Sequence, residues 1–298
     1  MTKKIYALLF AILLLLLVFP FAVQSARDRL SGYTVAHSMP LDVSRGIPIL
    51  MYHKVNPDPT AGGYGLRVTP RVFERDMRYL KTNGFHTVSL LDLADHFNRG
   101  TPLPARPVVI TFDDGYLDNY TYAFPILKKY GMTAIIFVVA DTVGGINSFD
   151  YNARRQPLNH MAGWGELKEM ARAGIAIGSH TLTHPHLAEV SPDIARQEIA
   201  DSKKKLEQGL GGKVEFFCYP YGSYNFLTAQ LVQESGYVAA VTTEQGLGRK
   251  EDGLFTLRRI RIRGDYTQAT FLHELTRYYR EPAGGRSQNC AWHLGSVK

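Results

Sequence analysis

Cysteine is nearly absent from this chain. Among 298 residues only Cys218 and Cys290 occur, and no C-x-x-C spacing exists. That excludes a thiolate zinc site and a disulfide-framed small domain, although an exported chain could pair the two thiols. Nucleotide signatures are missing too. No G-x-G-x-x-G or P-loop follows an apolar run, so dinucleotide or NTP chemistry has no support. The formal charge is +7, but no dense Lys/Arg tract with interleaved aromatics accompanies it. A nucleic-acid partner is therefore not expected. Low-complexity tracts are absent as well. Apolar residues make up 45% and charged residues 20%, ordinary globular proportions.

One long apolar run is present. Lys3 and Lys4 precede an uncharged stretch over residues 5–23, followed by Val23-Gln24-Ser25-Ala26. This resembles a secretory signal peptide cleaved after Ser25. The run exceeds an h-region of about 7–15 residues and matches the roughly 17–25 of a spanning helix. An uncleaved N-terminal anchor is thus the alternative. No Cys follows it, which argues against a lipoprotein anchor. Residues 1–25 are read as signal peptide or anchor, 26–45 as a linker, 46–281 as one domain and 282–298 as a tail. The chain is expected to be exported, as a secreted, cell-surface or periplasmic protein. Without Lys3 and Lys4 the charge is +5, which suits a site near anionic surface material.

From Gly46 onward, strand and helix patterns alternate. Apolar or β-branched runs predict strands over 47–52, 86–90, 107–112, 133–139, 175–177, 213–219, 237–242 and 257–262. Between them Thr69-Pro70 and Ser191-Pro192 read as helix starts. Further helices are expected over 91–98, 163–173 and 225–236, and over 119–130 with a kink at Pro125. The Arg258–Arg263 run alternates at period 2, which reads as a half-buried strand with a charged face. About seven or eight strands in about 230 residues argue for a closed or partly closed β/α barrel, with an open doubly wound sheet as the alternative.

In such a barrel, functional residues gather at the C-terminal ends of the strands. Four polar clusters fall there: His53, Asp113-Asp114, His180 with His184, and Tyr219-Pro220-Tyr221-Gly222. His180 and His184, four apart with Pro185 behind them, fit one turn or a tight loop that delivers two imidazoles to one metal. A polar loop with incidental histidines is the bland alternative. Two adjacent carboxylates at a buried strand end are costly. A divalent cation held by two His and one Asp would stabilise one of them. The other would then be free for proton transfer to or from an attacking water.

TFDDG (111–115) together with SHTLTHP (179–185) resembles the first two motifs of the polysaccharide deacetylases, the NodB-like esterases of carbohydrate esterase family 4. The resemblance extends over about residues 47–262. It implies a distorted (β/α) barrel of about seven strands and metal-dependent removal of acetyl groups from sugars. By that resemblance Asp113 is the catalytic base. Asp114, His180 and His184 hold the divalent metal, usually zinc, with cobalt, nickel or other divalent ions as alternatives. The third family motif, Arg-x-Pro-Tyr or Phe, reads Cys218-Tyr219-Pro220-Tyr221. Its Pro-Tyr is kept, and the backbone N–H of Tyr221 is the candidate oxyanion donor. The arginine that orients the base in the family is replaced by Cys218.

The late histidines His273 and His293 follow no clear strand. Instead, Met51-Tyr52-His53 within residues 49–55, with residues 216–222, resembles the poly-β-1,6-N-acetylglucosamine deacetylases of biofilm matrix synthesis. There the acid histidine comes from the N-terminal strand, which makes His53 the candidate acid. Trp164 and Tyr116 are candidates for lining a sugar site, with packing against the barrel as the alternative for Trp164. The expected activity is N-deacetylation of an N-acetylglucosamine polymer by a monomer, in association with membrane or cell surface. Peptidoglycan, chitin or acetylxylan deacetylation is an alternative. Cys218 raises another, a carbohydrate-binding protein with impaired catalysis.

Overall fold

The computed structural model describes residues 41–280. The expected signal or anchor segment, nearly all of the linker, Cys290, His293 and the tail lie outside the described residues. Among the described residues ten strands form: β1 (Ile49–Tyr52), β2 (Lys54–Val55), β3 (Arg67–Val68), β4 (His86–Thr87), β5 (Pro107–Phe112), β6 (Ile135–Val138), β7 (Ala176–Ser179), β8 (Phe216–Cys218), β9 (Ala239–Gln245) and β10 (Leu257–Arg261). Seven of them close into a parallel ring in the order β1-β10-β9-β8-β7-β6-β5 and back to β1. β4 pairs with the start of β5, and β2 with β3 forms a separate ladder. The barrel expectation holds. The β1–β5 ladder, from Ile49 against Val109 to Tyr52 against Phe112, removes the open-sheet alternative.

The apolar runs follow from this closure. All six residues of β5 are buried, because a barrel strand has interior on one face and helices on the other. Its single hydroxyl, Thr111 Oγ1, donates to the Leu50 carbonyl at 2.7 Å. Ile49, Val109, Ile135, Phe137, Phe216 and Val241 belong to one buried cluster. Burying each such side chain contributes about 1.5–3 kcal/mol.

Helix starts obey local capping. Thr69 Oγ1 accepts the Val72 N–H to open α1 (Pro70–Thr82), whose Phe73, Met77 and Leu80 are buried. The strand expected over 86–90 ends at Thr87. Ser89 and Asp92 exchange hydrogen bonds in a capping box that opens α2 (Leu90–Arg99) three residues later. The segment expected as one kinked helix is a π turn over Asn119–Ala123 followed by α3 (Phe124–Tyr130). Pro125 thus falls in the first turn of α3, where a missing N–H costs least. The remaining helices are α4 (Ser148–Tyr151), α5 (Trp164–Arg172), α6 (Pro192–Leu210), α7 (Phe226–Glu234) and α8 (Gln268–Arg280).

Register aligns the strand ends. Tyr52 lies opposite Phe112, Phe112 opposite Ile136, Val138 opposite Ser179 and Ser179 opposite Phe217. His53, Asp113 and His180, each the next residue of its strand, therefore leave the barrel at one end.

Gly178 in β7 marks a tight approach. A Cβ there would lie 2.5 Å from the Phe137 ring and 3.0 Å from the Phe216 carbonyl oxygen. Gly178→Ala is expected to destabilise the fold by about 1–3 kcal/mol through overpacking, measured as a lower urea midpoint at unchanged slope.

Candidate active site

TFDDGY sits where β5 ends, and the chain turns there in an unusual way. Asp114 has φ 75° and Gly115 φ 84°, two successive left-handed residues. Asp tolerates this conformation better than most side chains, and glycine adopts it freely. The turn sends the two neighbouring carboxylates to different partners, so they need not share one charge environment.

Asp113 faces the barrel interior. Its N–H donates to Tyr52 O at 3.0 Å, and its carboxylate accepts a two-pronged bond from Arg259. Nη1 donates to Oδ1 and Nη2 to Oδ2, each at 2.7 Å. Arg259 has no exposed surface. Its Nε donates to Thr242 O at 2.7 Å and its Nη1 to Thr111 Oγ1 at 3.0 Å. Burial by itself would keep Asp113 neutral. The Arg259 charge and its hydrogen bonds outweigh that and bring the carboxyl down to about 2.

Arg259 was not expected here. The alternating arginines of residues 258–263 read as a charged outer face, and this is corrected. Leu257, Arg259 and Ile260 are all buried, because both faces of a barrel strand are covered. Arg258 and Arg261, half-buried, are the more accessible ones. The space that receives the guanidinium adjoins Cys218, whose Sγ lies 3.2 Å from Nη2. Period 2 alone does not single it out, because Arg261 shares the phase of Leu257 and Arg259 and is only half-buried.

His53 leaves β1 beside Asp113. Its Nε2 lies 3.8 Å from Asp113 Oδ2, and its side chain is about nine-tenths buried. Burial pushes the imidazole down from 6.5 to about 4, against the opposing pull of Asp113 and Asp114. Asn119 Nδ2 donates to the His53 carbonyl at 2.7 Å and ties the strand end to the π turn.

Asp114 faces the histidine pair. His180 Nε2 and His184 Nε2 each lie 3.4 Å from Asp114 Oδ1 and 3.2 Å from one another. His180 Nδ1 lies 2.7 Å from the Cys218 carbonyl oxygen. A carbonyl can only accept, so Nδ1 carries a hydrogen, which leaves Nε2 as the ring's ligand atom when the ring is neutral. Three ligand atoms thus converge on one point from a buried His, His and Asp. This donor set fits a first-row divalent cation such as zinc, with positions left for water or substrate. The loop that carries them is a tight loop rather than a helical turn, with Thr181 at φ 66° and His184 at φ 72°.

Tyr221 completes the cluster. It follows β8 in a short turn with φ 58°. Its ring meets His184 edge-on at 4.6 Å between centroids and stacks on His186 at 4.1 Å. Its hydroxyl donates to Asp150 Oδ1 at 3.3 Å and accepts from the Arg155 guanidinium. Among the described residues six non-glycines have positive φ, and four of them, Asp114, Thr181, His184 and Tyr221, lie here. Each costs about 1–3 kcal/mol, a concentration that marks a working site.

Two expected sugar-lining residues are placed elsewhere. Tyr116 is fully buried, with Lys54 Nζ 4.7 Å above its ring. That burial closes its ring to a sugar. The Trp164 ring at the start of α5 lies against Gly209 of α6, so close that a Cβ there would overlap it. Its indole packs helix on helix.

Known proteins resemble this chain in the same region. Residues 100–240 match the family model described as polysaccharide deacetylase. YxkH of Bacillus subtilis strain 168, provisionally named a polysaccharide deacetylase, is 36% identical over 216 residues, 72% of this chain and 71% of its own length. The poly-β-1,6-N-acetyl-D-glucosamine N-deacetylase of Escherichia coli K12 is 25% identical over 260 residues, 77% of this chain and 38% of its own length. Among solved structures, the Streptococcus pyogenes deacetylase PplD in complex with acetate superposes with a TM-score of 0.67 at 30% identity, covering 80% of this chain and 99% of that one.

Arg259→Met leaves the buried Asp113 carboxylate unpaired. It is expected to cost about 3–5 kcal/mol at pH 7, with Arg259→Lys costing less because charge is kept and only the fork is lost. In the native protein the depressed Asp113 carboxyl contributes stability above pH 3.8, on the order of 2 kcal/mol, lost as pH falls through about 2. Urea titrations across that range, compared between native and Arg259→Lys, should show the loss beginning at higher pH in the variant.

Proposed function

Since this chain belongs to the polysaccharide deacetylase family, we propose that it removes N-acetyl groups from a polymer of N-acetylglucosamine, with poly-β-1,6-N-acetyl-D-glucosamine as its substrate. The observation that carries the reading is the pairing of His53 and Asp113 at 3.8 Å, next to the Asp114–His180–His184 cluster. A base and an acid then flank one acetamide carbonyl beside a metal-binding set. The choice of polymer is supported by the E. coli relative's name and by an acid histidine delivered from the first barrel strand.

Asp114, His180 and His184 would hold the metal, with zinc the ion that suits two imidazoles and one carboxylate. When bound, the cation supplies Lewis acidity, polarising the acetamide carbonyl and lowering the pKa of an attacking water. Asp113, oriented by the Arg259 fork, takes the proton of that water as it attacks. The Tyr221 backbone N–H is the candidate donor to the developing oxyanion. His53 is neutral at pH 7. It receives a proton across the 3.8 Å gap to Asp113 and passes it to the leaving nitrogen. The carbon–nitrogen bond breaks, acetate departs and the sugar keeps a free amine, largely protonated at neutral pH. Such a polymer is cationic, which suits an exported enzyme that alters surface polysaccharide.

Acetate release from poly-β-1,6-N-acetylglucosamine oligomers tests the reading. Asp113→Asn is expected to lower kcat about 10²–10⁴-fold, and chelation to abolish turnover until a divalent metal is restored. Turnover of chitin or peptidoglycan fragments in its place would redirect the substrate assignment.

The pH profile follows from His53. Because the free imidazole is neutral above about 4, its protonation should lower kcat/KM only as pH falls towards that value. A His53-dependent inflection near 6.5, lost in His53→Gln, would contradict the proton route from Asp113.

A further inference from the structure

α6 runs behind the loop that carries His180 and His184, and one face of it grips that loop at two heights. Glu198 is buried on this face. Its Oε2 accepts the backbone N–H of Leu182 at 2.9 Å and of Thr183 at 2.8 Å, and its Oε1 accepts Thr183 Oγ1–H at 2.5 Å. Four residues on, one helical turn along the same face, Ser202 Oγ lies 2.8 Å from Ser179 Oγ. Ser179 Oγ in turn accepts the Thr181 N–H at 3.2 Å. The anchored segment, residues 179–183, contains His180 and leads directly into His184.

That segment is strained. Thr181, a β-branched residue, is held at φ 66°, and His184 at φ 72°, conformations that persist only where the surroundings over-determine them. The left-handed Thr181 turns the next two amides towards one point, which makes an anion-binding concavity. A side-chain carboxylate from the neighbouring helix fills it. On the loop's inner side, Thr181 Oγ1 accepts the His184 N–H at 2.9 Å, and the Leu182 carbonyl accepts Asp141 N–H at 2.9 Å.

We infer that Glu198 is a positioning residue for the metal site, and that its carboxylate holds the left-handed turn which aims His180 and His184 at one ion. The inference rests on the reading that Asp114, His180 and His184 bind a divalent metal. Glu198 touches no ligand atom and acts on the ion through the backbone of residues 181–184. Outer partners of this kind tune affinity by about 10–100-fold.

The test measures metal binding rather than turnover. Zn²⁺ and Co²⁺ affinities are determined by chelator competition for the native protein, Glu198→Ala, Glu198→Gln and His184→Ala, with the visible spectrum of the Co²⁺ form and the melting temperature of each metal-free protein. Glu198→Ala is expected to weaken Zn²⁺ binding about 10–100-fold and to alter the Co²⁺ spectrum. Glu198→Gln, which keeps one acceptor oxygen and the shape, should recover part of the affinity. It also serves if Glu198→Ala does not fold. Native-like affinity and spectrum in either Glu198 variant, even with a lowered melting temperature, would reduce Glu198 to a structural contact and overturn the inference. If native protein and His184→Ala bind equally, the metal site itself is misassigned and the inference falls with it.

Discussion

A guanidinium buried inside the barrel and a carboxylate at the strand end beside it form the interaction on which the rest of the site depends. Arg259 and Asp113 exchange two charge-assisted hydrogen bonds of 2.7 Å with no exposed surface on the arginine. Neither charge could be buried there without the other. The pair also fixes direction. With both Asp113 oxygens engaged by one fork, the carboxylate plane is set, and His53 lies on the side left to it. The Asp114 carboxylate, one residue on, is thereby separated from the fork and committed to the histidines.

The second constraint is backbone strain, concentrated on the loops at the same barrel end. Asp114, Thr181, His184 and Tyr221 occupy left-handed conformations within one cluster. Two of these loops are held by groups that carry no ligand role: Glu198 and Ser202 behind the histidine loop, and Thr243 Oγ1 on the Tyr221 carbonyl at 3.2 Å. The closed ring of parallel strands makes this possible. It supplies rigid ends in register, so short strained loops can be pinned from α6 and β9 without disturbing the core.

Much of this was legible in the residues, and the failures have physical causes. The barrel could be read because strands covered on both faces are continuous apolar runs, as in residues 107–112. The Asp-Asp and His-x-x-x-His spacings could be read because each sits in one loop. What could not be read was any pairing across the barrel. Arg259 and Asp113 are 146 residues apart, and nothing local distinguishes an arginine that points inwards from one that points to solvent. Period 2 reports which residues share a face but not which face is wet, and in a barrel neither is. The surroundings of Trp164 and Tyr116 could not be read from sequence for a related reason. An aromatic near a strand end or helix start is consistent with a groove or with packing, and only the neighbouring Gly209 and Lys54 decide it.

Cys218 makes the same point about what equivalence means. At the position where the motif resemblance implies a base-orienting arginine, this chain has a small side chain, which suggested an impaired site. The guanidinium is nonetheless there, delivered from β10, with its Nη2 3.2 Å from the Cys218 sulfur. The two features depend on one another. An arginine at 218 would compete with Arg259 for the same carboxylate and volume, and a cysteine without Arg259 would leave Asp113 buried and unpaired. The chemical requirement is a fork of donors on the Asp113 oxygens. Either strand can meet it, provided the other yields the space. The argument for a decayed site therefore loses its motive at the residue that raised it.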